Sequence, residues 1–321
     1  MSQSQKPLVV ALEEHYWDPD LVALFPGREG KRMSDVERRL LDMGELRVRE
    51  MDEAGIDIQV LSHGAPGTQK LDAETATRMA RQTNDRLAAF VATNPKRFAG
   101  LGLLPTPDPA AAADELERIV TRLGLKGAMV HGLTNGKFLD DKQFWPIFER
   151  AQALDVPLYM HPSFPSPAVI EAYYRDYATT FPELIGPALG FTVEAATQAV
   201  RLVISGVIEK YPRLKFILGH LGEGIPFLLW RIDQSLSRPG NSGGSFKTTF
   251  RNNFYLTTSG NFSDTALAAS ITEMGIDRIM FSVDWPFISN KLATDWLHAT
   301  SLNAADKAKV FGGTAKTLLK L

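Results

Sequence analysis

Ala11-Leu12-Glu13-Glu14-His15 closes a short apolar run that begins at Leu8, and closes it in two carboxylates and an imidazole. Side chains on a strand alternate between faces, so a strand ending here sends Glu13 and His15 one way and Glu14 the other. A carboxylate oxygen beside an imidazole nitrogen suits a divalent metal such as zinc or manganese, provided distant segments bring further ligands. Taken alone, Glu-x-His also fits an ordinary solvated strand end.

Runs of the same kind recur along the chain: Leu8 to Leu12, Ile56 to Ser62, Phe98 to Leu104, Gly127 to Val130, Pro157 to Met160, Leu214 to Gly219, Phe254 to Thr258 and Arg278 to Ser282. Helical patterns separate them at Ala73 to Thr93, Pro109 to Leu123, Lys142 to Leu154, Phe191 to Tyr211, Ile225 to Leu236 and Lys291 to Thr300. Strand-then-helix units repeated in this way predict a parallel sheet, and eight of them in 321 residues predict a closed (β/α)8 TIM barrel over an open doubly wound sheet. The whole chain, 1–321, reads as one such α/β domain. An insertion after strand 1, Tyr16 to Gly55, is expected to hold a loop over the barrel mouth and then a helix capped by Ser34 or Asp35 and stopped by Gly55. The stretch from Pro162 to Gly190, after strand 5, is a long loop suited to a lid, a binding loop or an oligomer contact. Gly240 to Gly244 reads as a mobile surface loop, and Gly312-Gly313 as a break in the last helix, Ala304 to Leu321.

Composition removes several classes of function. A net charge of -2 and no basic patch argue against nucleic acid. Without cysteine there is no disulfide, thiolate nucleophile or thiolate-bound zinc, so a metal would have to be held by His, Asp and Glu. No apolar stretch approaches the roughly 20 residues of a membrane span. The apolar run after the polar Met1 to Lys6 is cut by Glu13, so a cytoplasmic protein is expected.

In a barrel of this type the chemistry lies at the C-terminal strand ends. Those ends are Glu13 and His15, His63, His131, His161, His220 and Asp284; of six histidines only His298 falls elsewhere. Each has an ordinary reading alone: a loop residue at His161, a hydrogen-bonded core residue at His220, a turn at Asp284, packing residues at His63 and His131. Their convergence on one mouth favours a metal centre.

Six segments then resemble one family: Val10 to His15, Tyr159-Met160-His161-Pro162, Ile217 to Glu223, Leu229-Trp230-Arg231-Ile232-Asp233, Thr257 to Phe262, and Phe281 to Phe287. In this order they are similar to the metal-dependent decarboxylases of the amidohydrolase superfamily, which include γ-resorcylate (2,6-dihydroxybenzoate), 2,3-dihydroxybenzoate and aminocarboxymuconate semialdehyde decarboxylases. The resemblance implies one divalent ion, zinc or manganese, held by Glu13, His15, His161 and Asp284. It implies His220 as a proton-handling group oriented by Glu223, and Arg231 and Phe287 at the substrate. A small aromatic acid would be the substrate and a homodimer or homotetramer the assembly. The chain departs from the family at Ser163-Phe164, where Arg-Asn is usual, at His131, where Asn is usual, and at His63, where an apolar or aromatic residue is usual. His63 and His131 are therefore candidate substrate-reading residues. A carbon-carbon lyase acting on a hydroxylated aromatic acid is the leading expectation. The alternatives are a metal-dependent hydrolase or hydratase of a ring-derived acid or lactone, and a binding protein that has lost catalysis.

Overall fold

All eight apolar runs form strands in the computed structural model, which describes residues 7–236 and 244–321. In order they are β1 (Val10–Tyr16), β2 (Ile58–His63), β3 (Phe98–Gly100), β4 (Gly102–Leu103), β5 (Ala128–His131), β6 (Leu158–His161), β7 (Phe216–Leu218), β8 (Phe254–Thr257) and β9 (Ile279–Met280). β3 and β4 are halves of one barrel strand, and the Leu101 N–H between them still donates to the Leu61 carbonyl at 2.8 Å. Each strand pairs in parallel with the next, and a parallel bridge between Leu12 and Ser282 closes the cylinder. The result is the (β/α)8 barrel.

Inward side chains of successive strands fill the barrel as one buried cluster that includes Val10, Leu12, Val60, Leu101, Met129, Ile217 and Met280. Ala315, Leu318 and Leu319 of the last helix join that cluster and plug one end. The outward faces pack under the helices in a second, larger cluster. The open end is therefore the one where the strands stop in polar residues.

β1 departs from strict alternation. Val10 and Leu12 face the interior, so an unbroken pleat would turn Glu13 and His15 outward with Ala11. Instead the register against β2 shifts between Ala11 and Glu14, and Glu13 sits in the left-handed region at φ 58°. This bulge adds one residue and keeps Leu12, Glu13 and His15 on the inside while Glu14 turns toward the helices.

The insertion after β1 is more structured than a loop and a helix. Asp18 caps a short helix, Pro19–Val22, and two helices follow, Ser34–Leu41 and Glu45–Ala54, separated at Asp42, whose carboxylate accepts the Gly44 N–H. Gly55 ends the second in the left-handed conformation, as its sequence predicts. The expected helix from Phe191 to Tyr211 is likewise divided, into Gly190–Ile204 and Val207–Lys210, at Gly206. The stretch after β6 holds short helical turns, Pro167–Val169, Arg175–Ala178 and Pro182–Ile185 among them, with Tyr173, Tyr177 and Phe181 exposed. Of the glycine-rich loop, 240–243 lie outside the described residues. No described helix is long and apolar enough to cross a membrane.

Gly312-Gly313 does not break the last helix. It forms part of a π-helical turn, Lys309–Gly313, that runs on into Thr314–Leu319. A Cβ on Gly312 would lie 2.4 Å from the Leu8 carbonyl oxygen, so glycine is what lets the closing helix approach the start of β1. Gly312→Ala is expected to lower stability by about 1–3 kcal/mol despite alanine's better helix propensity, measured as a fall in the thermal midpoint.

Candidate active site

Glu13, His15 and His161 meet at the open end of the barrel, each offering a ligand atom within 4.8 Å of the others. Nε2 of His15 lies 3.9 Å from Glu13 Oε1, and Nε2 of His161 lies 3.5 Å from the same oxygen. The opposite ring nitrogens are anchored: His161 Nδ1 to the Pro162 carbonyl at 2.7 Å and His15 Nδ1 to Ser62 Oγ at 3.3 Å. With its Nδ1–H donated to a carbonyl, His161 presents the Nε2 lone pair to the centre, the arrangement metal-binding imidazoles adopt. Glu13 Oε2 is held by the Tyr159 hydroxyl, which also meets Thr257 Oγ1 at 2.7 Å.

Two atoms at the centre of this cluster, Glu13 Oε1 and His15 Nε2, are buried without a hydrogen-bond partner. Leaving such atoms unmet costs of order 1–3 kcal/mol each, and a divalent cation between them removes that cost. Burial pushes the Glu13 carboxyl up and the His161 imidazole well down from their ordinary ranges. A neutral imidazole is the form that binds a metal, and a cation would favour the Glu13 carboxylate. The donor set of oxygen and imidazole nitrogen fits zinc or manganese.

Asp284 completes one side. Its Oδ1 lies 3.4 Å from His15 Nε2 and its Oδ2 3.9 Å from His220 Nε2. Burial alone would raise the Asp284 carboxyl, but the neighbouring His15 and His220 imidazoles hold it below its usual range. Nδ1 of His220 is bound by Glu223 Oε1 at 2.7 Å, and Thr192 Oγ1 donates to the other Glu223 oxygen at 2.8 Å. Burial would lower the His220 imidazole, yet the Glu223, Asp284 and Glu13 carboxylates together hold it well above the ordinary range. Some 23% of the His220 side chain and 18% of Asp284 stay open, whereas Glu13 and His15 are sealed, so the first pair is the side of the cluster that solvent reaches.

The backbone bringing His220 to Glu223 is left-handed over five successive residues: His220, Leu221, Gly222, Glu223 and Gly224 have φ of 52°, 57°, 85°, 54° and 74°. For the three L-residues with side chains this costs roughly 1–2 kcal/mol each. The turn is fastened by Leu221 N–H to the Thr257 carbonyl at 2.7 Å and by Asn261 Nδ2 to the His220 carbonyl at 3.3 Å.

The other sequence candidates divide. His63 and His131 are buried at their strand ends, with the His131 ring 5.1 Å from that of His161. Their Nε2 atoms are committed to backbone: His63 accepts the Asp18 N–H at 3.0 Å, and His131 bonds the His63 carbonyl at 3.0 Å. Phe287 stands at the rim, 41% exposed, its ring 6.0 Å from His15. Arg231 is exposed on the helix Ile225–Leu236, and among the described residues no hydrogen bond or ion pair joins it to this cluster. His298 is exposed on an outer helix. Tyr159, Ser62 and Thr192 escaped the sequence reading, although Tyr159 precedes His161 by two on the same strand face, a usable signal.

Residues 14–321 match the amidohydrolase family. The chain belongs to that family. Among related proteins, γ-resorcylate decarboxylase of Polaromonas sp. JS666 is 42% identical, with 97% of this chain and 98% of that protein covered. The crystal structure of a dihydroxybenzoic acid decarboxylase from Polaromonas sp. JS666, with bound manganese and the inhibitor 2-nitroresorcinol, superimposes with a TM-score of 0.89 at 42% identity, covering 98% of each chain. A 5-carboxyvanillate decarboxylase from Sphingomonas paucimobilis gives 0.91 at 35% identity, covering 98% of this chain and all (100%) of that one.

In this amidohydrolase, burial pushes the His63 imidazole down from 6.5 to about 3, so it stays neutral when folded. The unfolded chain takes up the proton near 6.5, so the stability this residue supplies is present above that pH and is lost as the pH falls toward 3. Thermal melts of metal-free protein across that window should show a falling midpoint, and His63→Gln should flatten the fall.

Proposed function

We propose that this amidohydrolase is a cytoplasmic, metal-dependent, non-oxidative decarboxylase of an aromatic acid carrying a hydroxyl ortho to its carboxylate, with 2,6-dihydroxybenzoate the first compound to test. The observation that carries the reading is the pair of sealed, partnerless ligand atoms, Glu13 Oε1 and His15 Nε2, beside a half-open His220–Asp284 pair, in a chain related end to end to γ-resorcylate decarboxylases. Glu13, His15, His161 and Asp284 hold one divalent ion. When bound, that ion would supply orientation and charge stabilisation worth on the order of several kcal/mol.

The residues of the chain supply the proton. Breaking the bond between ring and carboxylate needs somewhere for its electron pair to go, and a proton added beforehand at that ring carbon provides it. Glu223 fixes His220 by Nδ1, which leaves Nε2 turned toward Asp284 Oδ2. His220 passes its proton to Asp284, Asp284 delivers it to the ring carbon, and carbon dioxide leaves as the ring regains aromaticity. The open edge of His220 lets solvent restore the proton. His63, His131 and Phe287 shape the pocket wall; the two histidines are neutral, both imidazoles being held down to about 3 by burial. The assembly is a homodimer or homotetramer, a reading supported by Phe227 and Trp230, 84% and 67% exposed on one outer helix.

Elemental analysis of purified protein should find about one divalent metal per chain, as a single four-ligand site requires, and His161→Ala or Asp284→Ala should each empty it. Full occupancy in both variants would overturn the ligand assignment. The reaction is checked isotopically: in deuterium oxide the product should carry deuterium at the carbon that lost its carboxylate, with no oxygen from labelled water. Asp284→Asn and His220→Asn should each lose at least about 10²-fold in rate. Oxygen incorporation with the carboxylate retained would favour a hydrolase or hydratase.

A further inference from the structure

Glu13 and Asp284 both sit on left-handed backbone, at φ 58° and 74°, on neighbouring segments of the closed barrel. Such conformations cost roughly 1–3 kcal/mol each and persist only where the surroundings impose them. Direct bonds join the two segments: His15 N–H to the Trp285 carbonyl at 2.8 Å, Val283 N–H to Glu14 Oε1 at 2.9 Å, and Ser282 Oγ to the Leu12 carbonyl. Behind them, on the helix side, lies Arg47 of the insertion, fully buried (0% exposed). Its Nη2 donates to the His15 carbonyl at 2.6 Å and its Nη1 to Gln59 Oε1 at 3.2 Å, and Gln59 Nε2 reaches Glu14 Oε2 at 3.3 Å. The same guanidinium lies over the Trp285 indole, 4.0 Å from its centroid. Arg47 thus holds the residue before Tyr16 on one segment and the residue after Asp284 on the other.

We infer that Arg47 is a positioning residue for the metal centre: it fixes the β1 bulge against the Asp284 turn so that His15 and Asp284 face one another. Packing alone does not call for it. A fully buried guanidinium is costly unless its partners are in place, and the same helix buries Met51 without any such partner. The fork of donors and the flat stacking face are what this place uses, and lysine offers neither. The inference rests on His15 and Asp284 as ligands.

The test is binding of Mn²⁺ by metal-free protein, measured by equilibrium dialysis with elemental analysis, beside circular dichroism and thermal melts. Arg47→Met should fold and bind Mn²⁺ about 10- to 100-fold more weakly, the usual effect of removing a residue that orients a ligand. Arg47→Lys, which keeps the charge without the fork or the stacking face, should not restore the affinity. Met51→Ala, equally buried on the same helix, should lower the melting midpoint and leave Mn²⁺ affinity unchanged. If Arg47→Met does not fold, Gln59→Leu carries the test, with weakened Mn²⁺ binding expected. Unchanged Mn²⁺ affinity in the folded Arg47 or Gln59 variant, with stability alone reduced, overturns the inference. Absence of Mn²⁺ binding by the unaltered protein overturns the ligand assignment itself.

Discussion

The bulge at Glu13 is the constraint on which the centre depends. A regular pleat has room for Leu12 in the barrel core or for Glu13 and His15 at the mouth, but not for both on one face. One left-handed residue resolves this, and it lets a single strand serve the core with Val10 and Leu12 and the site with Glu13 and His15. The sequence around it is arranged to hold that residue. Tyr159, which lies in the interior cluster, presents its hydroxyl to Glu13, and Ser282 and Val283 bond to the residues on either side.

The polar groups at the mouth fall into two layers with opposite needs. Glu13, His15 and His161 are sealed, and burial favours the neutral forms of Glu13 and His161, which an ion would replace by a compensated charge. His220 and Asp284 are partly open and charged, because Glu223 and the neighbouring imidazoles stabilise their ionic forms. The proposed proton relay would need the second environment and a ligand cage the first. The closed cylinder supplies both within a few ångströms, since its strand ends differ in depth.

Periodicity made the barrel legible: eight apolar runs sit where eight strands are found, and the helix Ala73–Thr93 has the predicted limits. The cluster was legible because polar residues at strand ends converge once the sheet closes. What one-dimensional reading missed depends on contacts between distant segments. Alternation correctly set Glu13 with His15 but hid the bulge that turns them inward, because nothing local distinguishes Leu12-Glu13 from an unbroken pleat. The backbone partners of His63 and His131 were equally hidden: the Nε2 atoms of these two strand-end residues are taken by the turn after β1 and by β2. The last helix passes its two glycines without breaking, since the close approach to Leu8, 304 positions away in sequence from Gly312, is invisible to propensity.

The insertion after β1 changes meaning in this light. By position it is a cover for the barrel mouth, and Trp17 and Asp18 do lie there, with Asp18 bonded to His63. Its second helix lies elsewhere, against the outer side of β1, where Trp285 Nε1 meets Glu50 at 2.8 Å and Arg47 meets the His15 carbonyl. The same forty-residue stretch therefore reaches the centre from both faces of the barrel wall, from above through β2 and from behind through β1. A ligand held only by its own strand can drift with it. One whose carbonyl is also gripped by a buried guanidinium moves only if the insertion moves too.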